Sequence, residues 1–384
     1  MKICHLTTFW PNRFGHTHYT DNLIAGMRQH RQERHDVLAE FGSAAAETEA
    51  YRCIPCFSRK EDYVKSIADE ARKLSPDVMI IQYSNDLFGE DNRFPRLLAE
   101  LRVAGIRPVV NTHSVYPTHW KTGIRPGGTA AHFDRAMAES ASRLQVHTQR
   151  MRQDLLDRGI PDHRIVVIPH GSQPMVQHDA LQSRRELGLP ENAKLVVFFG
   201  FIWPGKGIEF LLKVFKNVAR EIPNAYLLVA GHTRKNVWGF YVTYLRMRAA
   251  MMGIGGRSRF WGEYVKEDRV PLIYSSADVV AMPYQQDYSS VSGVVHQTAG
   301  IGKLMLCSRI AKFDEVHDVD ARLTAPYGDT SAWTAAMIQL LTDSAGGEQM
   351  RRKILAFGER TSWSNVGQSY VKLCEQLIEE KESC

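Results

Sequence analysis

Residues 196–215 read VVFFGFIWPGKGIEFLLKVF, which is a short apolar run, a glycine-containing turn and an amphipathic segment in immediate succession. The run at 195–200 is rich in β-branched and aromatic residues, which favours a buried strand, and the apolar spacing that follows predicts a helix over 209–218. A buried strand that enters a helix through a tight turn is the repeating unit of parallel α/β sheets. This stretch therefore predicts an α/β fold.

The same alternation continues along the whole chain. Strand-like runs occur at 3–8, 36–41, 78–83, 108–113, 144–148 and 165–169, and again at 195–200, 226–231, 259–262, 278–284, 304–308 and 322–325. Two sets of six, separated by helix-length segments, indicate two doubly wound Rossmann-like domains facing a central cleft. The polar stretch at 171–184 lacks periodicity and predicts the linker. We expect domains at 1–172 and 186–362, followed by a C-terminal helix at 363–384 that packs back toward the first domain.

Composition limits the class of protein. With 44% hydrophobic and 23% charged residues among 384, the chain is typical of globular proteins. A formal net charge of +6 suits a phosphate-bearing ligand or an anionic membrane surface. No nucleic-acid motif, signal peptide or long apolar segment is evident, so we expect a cytoplasmic protein, with peripheral contact at the inner face of the membrane as an open alternative.

The turn after the 195–200 strand nearly matches a P-loop. Gly200 is followed after four residues by Gly205 and Lys206, but Gly207 stands where a P-loop has the serine or threonine that holds magnesium. A magnesium-dependent phosphotransferase is therefore a weak hypothesis. Lys206 still offers a point charge for a phosphate group.

A second candidate anion site lies at 288–303, YSSVSGVVHQTAGIGK. Small residues after a strand-like run expose backbone N–H groups where a helix begins, and a helix N-terminus favours an anion. This interpretation points to Ser292, Gly293 and Val294.

Two strand ends in the first half carry candidate ligand contacts. The turn after the first strand contains Gly15 and His16 immediately before a helix, where glycine permits close approach of a ligand, although an ordinary turn explains it equally well. The fourth strand ends at His113, whose imidazole is either a substrate contact or a structural group. The residues alone leave both alternatives open.

Three further patterns are weaker. Cys53 and Cys56 have a redox spacing, yet no second pair or thioredoxin-like context accompanies them. The glycines at 253–256 stand in the wrong order for a dinucleotide fingerprint, because a helix precedes them and a strand follows. Asp318 and Asp320 have the spacing of a metal-binding pair, but solvated loop charges explain them better, and we predict no metal site and no cofactor.

Taken in order, several stretches resemble family 4 of the retaining glycosyltransferases. They are the 196–215 stretch, RIVVIPHGS at 164–172, ADVVAMPY at 277–284, SSVSGVVHQTAGIGKLMLCS at 289–308 and SWSNVGQSYVKLCEQL at 362–377. The resemblance implies the GT-B fold and transfer of a sugar from a nucleoside-diphosphate sugar with retention of the anomeric configuration. It implies a nucleotide in the second domain and a sugar, lipid-linked or small-molecule acceptor in the first, as in glycan, glycolipid or natural-product glycoside biosynthesis.

Site residues follow from the resemblance position by position. It implies that Lys206 contacts the donor diphosphate and that His113 contacts the donor sugar, and these two are the expected catalytic residues. The expected substrate-binding residues are Gly15, His16, Ser289, Ser292, Gly293, Val294, Gln297 and Arg234.

Departures from the family pattern support a second hypothesis. The family carries two glutamates eight positions apart, which are Ser289 and Gln297 here, and an arginine where this chain has Phe201. Lys206 is then the main cation for the diphosphate, unless Arg234 or Lys235 compensates. The alternative to an enzyme is a catalytically inactive nucleotide-sugar-binding subunit that supports a partner transferase.

Overall fold

The computed structural model describes residues 1–123, 128–233, 239–286 and 288–382. The chain divides into two compact units. The first unit comprises Met1–Gly171, Tyr288–Val291 and Thr361–Cys384, and the second comprises Ser172–Asp287 and Ser292–Arg360. The division falls at 171/172, so the stretch 172–185 belongs to the second unit rather than to a linker.

The first unit is built on a mixed sheet of eight strands. The strands in chain order are β1 Ile3–Thr7, β2 His35–Glu40, β3 Ala46–Glu47, β4 Tyr51–Phe57, β5 Val78–Tyr83, β6 Arg107–Thr112, β7 Ser114–Val115, β8 Arg143–Val146 and β9 Ile165–Val167. In the sheet their order is β3-β4-β2-β1-β5-β6-β8-β9, parallel except that β3 is antiparallel to β4, and β7 lies outside it. Strand order reverses between β1 and β5, which makes their carboxyl ends the switch point of this unit.

Helices connect these strands and cover the sheet. They are α1 Gly15–Arg28, α2 Val64–Leu74, α3 Asn85–Phe88, α4 Arg93–Val103, α5 Ala130–Ser140 and α6 Gln149–Leu156. The central strand β5 is buried along its whole length, as expected for a parallel strand covered on both faces.

The second unit is built on a parallel sheet of six strands. These are β10 Lys194–Phe199, β11 Ala225–Ala230, β12 Ser258–Trp261, β13 Val279–Met282, β15 Leu304–Ser308 and β16 Thr324–Ala325, in the order β12-β11-β10-β13-β15-β16. Its helices are α7 Ala180–Glu186, α8 Ile208–Glu221, α9 Tyr241–Met251, α10 Val270–Ser276, α11 Gly293–Gly300, α12 Asp314–Val319, α13 Thr330–Thr342 and α14 Ser344–Arg360. Here the switch point lies between β10 and β13.

Each strand-like run in the sequence overlaps a strand of the structure, and the α/β prediction is confirmed. The edge strands β3 and β4 were not predicted. The stretch at 171–184 was expected to lack structure, but α7 begins within it at Ala180, where the Asp179 carboxylate accepts a hydrogen bond from the Gln182 N–H and caps the helix.

A four-residue segment of the chain's second half belongs to the first unit. Strand β14, Ser289–Ser290, pairs antiparallel with β7, with Ser289 opposite Val115 and Ser290 opposite Ser114. The Tyr288 ring packs against Tyr116 with 5.0 Å between ring centroids. This pairing was not predicted from the sequence.

The C-terminal helix α15, Trp363–Glu382, packs on α1 in the first unit. The two helices approach through glycines, since a Cβ built on Gly367 would lie 2.3 Å from the Gly26 carbonyl carbon, and one built on Gly26 would lie 2.1 Å from the Trp363 carbonyl oxygen. Tyr370 of α15 donates a hydrogen bond to Gln145 at 2.6 Å and lies 3.2 Å from the Tyr19 hydroxyl. No helix in the described part of the chain has the length and hydropathy to cross a membrane.

We expect Gly367→Ala to destabilise the first unit by about 2 kcal/mol, because a methyl group forced into a closed interface costs about 1–3 kcal/mol. Gln368→Ala is the matched control, since residue 368 is the exposed neighbour on the same helix. Alanine has the higher helix propensity, so a purely helical effect would stabilise the Gly367→Ala variant instead. Urea unfolding of both variants measures the difference, and an unchanged midpoint for Gly367→Ala would contradict the close approach.

Candidate functional site

The switch point of the second unit places the Lys206 loop, residues 200–207, beside the residues that follow β13. The loop follows β10, and it contains a 3₁₀ turn at Pro204–Lys206. Gly207 has a positive φ of 69°, and a Cβ built on it would lie 1.8 Å from the carbonyl oxygen of Pro283. A serine or threonine side chain does not fit at position 207, so this loop is not a P-loop. The magnesium ligand that a phosphotransferase would need there is excluded by this clash.

Lys206 lies against an aromatic ring at this switch point. Its Nζ is 3.6 Å from the ring centroid of Tyr284, which is a cation–π contact. Burial, and then the charge of nearby Lys312, lowers the pKa of Lys206 well below its ordinary value. An ammonium group that has lost its water gains more from an incoming anion than an exposed one does.

Tyr284 joins the Lys206 loop to two other segments of the second unit. Burial raises the pKa of Tyr284, and the nearby Ser292 side chain acts in the opposite direction, which places its hydroxyl beside the start of α11. The Tyr284 ring lies 5.3 Å from the ring of Phe313. Phe313 follows Lys312 in the loop after β15, the strand next to β13. One buried tyrosine therefore brings together Lys206, the start of α11 and the Lys312 segment.

The start of α11 presents backbone donors. Gly293 is exposed, and the Ser292 side chain makes no capping hydrogen bond to its own helix. Among the described residues, neither the Gly293 nor the Val294 N–H donates to a backbone carbonyl. Free N–H groups at a helix N-terminus form a binding place for an anion, and Lys206 reaches the same tyrosine.

Further along α11, Gln297 is held by a neighbouring tyrosine. The Tyr274 hydroxyl donates to Gln297 Oε1 at 2.9 Å. This bond orients the side chain and leaves its NH₂ group as the donor for a ribose oxygen. The contact of Gln297 with a ribose hydroxyl stays a prediction.

Phe201 exposes 39% of its surface at the start of the Lys206 loop. Its ring lies 4.7 Å from the ring of His232, which in turn lies 5.5 Å from that of Tyr264. An aromatic surface stands where the family pattern has an arginine. Arg234, the predicted compensating cation, lies outside the described residues.

In the first unit, Gly15 and His16 begin α1. Gly15 is exposed and a Cβ built on it meets nothing within 4 Å, so its position is open to a ligand. The His16 ring packs on the His113 ring with 4.9 Å between centroids. Burial lowers the pKa of His16 to about 4. Of the smaller effects, the charge of Asp86 raises this pKa and the charge of Arg59 lowers it. The ring is therefore neutral at pH 7.

His113 has a protein partner within hydrogen-bond distance of each ring nitrogen. Its Nε2 lies 2.8 Å from Gln82 Oε1, and its Nδ1 lies 3.2 Å from His147 Nε2. Burial, and then the charges of neighbouring histidines, lowers the pKa of His113 well below its ordinary value. Its predicted contact with a donor sugar stays a prediction, and it requires a sugar hydroxyl to replace one of these two partners.

Ser289 and Ser292, the two predicted serines of the motif, belong to different units. The Ser289 side chain is buried in the first unit and donates a hydrogen bond to the Asp154 carboxylate. Its hydroxyl proton is therefore already used, whereas Ser292 belongs to the second unit with Lys206. Any contact of Ser289 with a ligand can involve only the oxygen lone pairs.

The weaker sequence patterns have structural explanations. Cys53 and Cys56 lie in β4, where burial raises their pKa values to about 11 and about 12, so both are unreactive thiols at pH 7. Asp320 accepts hydrogen bonds from Arg322 and Lys353, chiefly through Arg322, and its pKa is lowered accordingly. Its role is an ion pair.

Buried neutral histidines make the first unit sensitive to acid. Burial lowers the pKa of both His16 and His35 to about 4, against about 6.5 in an unfolded chain. Between these values the unfolded chain binds protons that the folded chain does not, so stability is lost as the pH falls from 6.5 to 4. We expect the melting temperature to fall progressively over this window, as measured by calorimetry.

His35→Gln supplies the control for this acid effect. His35 is buried beside His5, with 3.0 Å between His35 Nδ1 and His5 Nε2, and lies outside the candidate site. Removing one such histidine should reduce the slope of the unfolding free energy against pH by up to about 1.4 kcal/mol per pH unit. A melting temperature that is constant from pH 7.5 to pH 5 would contradict the assignment of neutral buried rings.

Comparison with known proteins finds a family match within the second unit. Residues 193–343 match the family model described as "Glycosyl transferases group 1". This region is therefore similar to the group 1 glycosyl transferases. It contains the Lys206 loop, the Lys312 segment and the start of α11, so all parts of the anion site lie within the matched region.

A curated protein similar to this chain is the D-inositol 3-phosphate glycosyltransferase of Corynebacterium efficiens, at 27% identity over 241 residues. The match covers 60% of this chain and 55% of that protein, so the chain spans little more than half of the relative's length.

Solved structures match over nearly the whole chain. HepE of Anabaena, in complex with UDP and glucose, has a TM-score of 0.77 at 15% identity, covering 98% of this chain and all of that one. Sucrose-phosphate synthase of Thermosynechococcus elongatus also has a TM-score of 0.77 at 15% identity, covering 99% and 100%. The chain has the GT-B fold, which confirms the fold expectation.

Lys312 was not among the residues singled out from the sequence. This lysine is 8% exposed and lies in the loop after β15, next to the switch-point strand β13. The signal was present, because the carboxyl ends of neighbouring parallel strands meet at one edge of the sheet. A lysine in the first turn after such a strand was a candidate by that rule.

Proposed function

We propose that this chain is an enzyme that transfers a sugar from a nucleoside-diphosphate sugar to an acceptor hydroxyl with retention of the anomeric configuration. The observation that carries the proposal is the convergence on Tyr284 of the Lys206 ammonium group and the start of α11. It lies within the region that matches group 1 glycosyl transferases. HepE, of the same fold, was solved with UDP and glucose, which makes UDP-glucose the first donor to test.

Sugar transfer from a nucleoside diphosphate requires groups that stabilise the charge of the leaving diphosphate. The bond between the anomeric carbon and the diphosphate breaks, and negative charge grows on the leaving phosphate. Lys206 and the N–H groups of Gly293 and Val294 stabilise that charge in a place of low dielectric constant. These groups can do so without a metal ion, so we propose metal-independent transfer with no cofactor. The acceptor is assigned to the first unit by the family resemblance.

Donor turnover tests this proposal. The protein is incubated with UDP-glucose and with the corresponding donors of other bases, with and without a chelator, and release of the nucleoside diphosphate is measured. We expect release that persists with chelator, and nuclear magnetic resonance of the product should show the donor's anomeric configuration. Strict dependence on magnesium or inversion at the anomeric carbon would contradict the mechanism.

An inactive nucleotide-sugar-binding subunit is the alternative, motivated by Ser289, Gln297 and Phe201. The similarity to glycosyltransferases does not favour it. It predicts that UDP binds with micromolar affinity while no donor is hydrolysed or transferred, whereas the enzyme proposal predicts turnover. The cytoplasmic location and the membrane contact stay predictions from the sequence.

A further inference from the structure

A cavity of about 500 Å³ lies at the amino ends of strands in the first unit. Four arginines line it, Arg102, Arg107, Arg143 and Arg164. Glu380 of α15 is the one carboxylate among the described residues that line it. Four guanidinium groups and one carboxylate leave an excess of three positive charges, in a cavity of the size that holds small ligands.

The fold brings these arginines together because they precede neighbouring parallel strands. Arg107 and Arg143 are the first residues of β6 and β8, and Arg164 immediately precedes β9. The three strands are neighbours in the sheet in that order, and Arg102 lies in the last turn of α4, which leads into β6. His113 follows the other end of β6, about 20 Å away at about 3.3 Å per residue. The cavity is therefore separate from the candidate site.

Three of the arginines are held by backbone carbonyl groups instead of carboxylates. Each donates one hydrogen bond through Nη1, from Arg102 to the Glu139 oxygen at 3.1 Å, from Arg107 to Asp77 at 3.1 Å and from Arg164 to Ala141 at 3.0 Å. Within the described part of the chain, these three side chains make no ion pair. A guanidinium group has five N–H donors, so most of them stay available to a ligand in the cavity.

Arg143 has a carboxylate partner that a ligand can replace. Its Nη2 donates to Glu380 Oε1, and its Nη1 donates to the Ser142 carbonyl oxygen at 2.9 Å. The Glu380 side chain is 54% exposed, and an ion pair with so exposed a partner contributes little to stability. A phosphate group offers the same guanidinium fork two oxygens and more charge.

Capping of a helix explains part of this arrangement. Arg102 and Arg164 bond to carbonyl oxygens at the C-terminal end of α5, where a cation is favourable. That end carries only about half a negative charge, which does not balance four guanidinium groups. Arg107 also lies outside this explanation, because it bonds to Asp77, the residue before β5.

We propose that this cavity is a second ligand site, which binds the phosphate group of a free molecule or of a lipid headgroup. The proposal goes beyond sugar transfer and does not depend on it. Planar guanidinium groups bind phosphate oxygens in pairs, and an excess of three positive charges suits a multiply charged phosphate better than a single carboxylate. Leu377 is the one apolar residue among the described lining, and it is buried, so charge provides the recognition.

Calorimetry with tripolyphosphate and the full chain tests the site. Loss of one charge-assisted contact weakens binding about tenfold at the low end of the usual range, which suits partly exposed groups. We therefore expect Arg102→Gln and Arg107→Gln each to bind tripolyphosphate about tenfold more weakly. Arg96→Gln is the matched control, because Arg96 is an exposed arginine of the same helix α4 and pairs with Asp62 outside the cavity.

Glu380→Gln should have the opposite effect. The ligand then no longer competes with a carboxylate for Arg143, so affinity should rise by up to about fivefold, the equivalent of one exposed ion pair. A purely structural role predicts a lower melting temperature for the arginine variants, with the affinity unchanged in Glu380→Gln. That combination would overturn the proposal.

Two further measurements locate the probe and the source of the phosphate. Binding that is lost in Lys206→Ala but persists in Arg107→Gln would place tripolyphosphate at the candidate donor site and refute the second site. Sedimentation with vesicles that contain phosphatidic acid is the other arm. Vesicle binding that depends on Arg102 and Arg107 assigns the phosphate to a lipid headgroup, and binding of tripolyphosphate alone assigns it to a free molecule. If neither probe binds the native chain, the proposal is wrong.

Discussion

Lys206→Ala is expected to reduce donor turnover at least about a hundredfold, the loss typical of removing one group that stabilises a leaving charge. Lys206 lies on the face of Tyr284 beside the start of α11, and Phe201 supplies no charge in the same loop. The ground-state contact with phosphate contributes about 1.5–3 kcal/mol. The effect is larger in the transition state, because the leaving phosphate gains charge there. Steady-state kinetics with UDP-glucose measures it.

Several comparisons make this expectation specific. The fold should persist, because Lys206 is a half-buried loop residue and the substitution removes no apolar side chain from the core. Lys206→Arg should restore part of the activity, since a planar guanidinium fits a phosphate differently from a point charge. Near-normal turnover of Lys206→Ala, combined with loss of turnover in Arg234→Ala, would move the main cation to residue 234 and refute the assignment of Lys206.

The parallel sheets were predictable because each buried strand carries its own signal. Runs such as 195–199 and 78–81 are continuously apolar, since both faces of the strand are covered, and helix-length segments separate them. The edge of the first sheet was not predictable in this way. Strand β4 has only two fully buried residues and β3 has two residues in all, so neither contains a pattern long enough to recognise.

In the candidate site, too, the features that depend on local sequence were predictable, and those that depend on distant segments were not. The donors of Ser292–Val294 and the Lys206 loop depend on turns and helix starts that the local sequence specifies. The partners of His113 are Gln82 and His147, and the partner of Ser289 is Asp154. These partners lie in other segments of the chain, so no local sequence pattern predicts them. The pairing of β14 with β7 joins residues about 175 positions apart, so only the folded chain shows that Ser289 and Ser292 lie in different units.

Gly207→Ser should have the second large effect, although it brings the loop closer to the P-loop pattern. A Cβ at this position would lie 1.8 Å from the Pro283 carbonyl oxygen and 2.9 Å from its carbonyl carbon. The positive φ of 69° adds the strain of a left-handed conformation, about 1–2 kcal/mol. With the displacement of backbone, the loss of stability should reach about 4 kcal/mol, which is exceptional for one substitution. Urea unfolding measures it.

Gly328→Ser isolates the strain from the clash. Gly328 also has a positive φ, 87°, but a Cβ built on it meets nothing within 4 Å. The Gly328→Ser variant should therefore lose only the stability that corresponds to the backbone strain, and it should keep its affinity for UDP.

The Gly207→Ser variant should lose UDP binding as well, because Pro283 adjoins Tyr284, against which Lys206 packs. The phosphotransferase hypothesis predicts the reverse, since a serine there would complete the magnesium site. Magnesium-dependent ATP hydrolysis that rises in Gly207→Ser, with the fold intact, would refute both the steric argument and the sugar-transfer proposal.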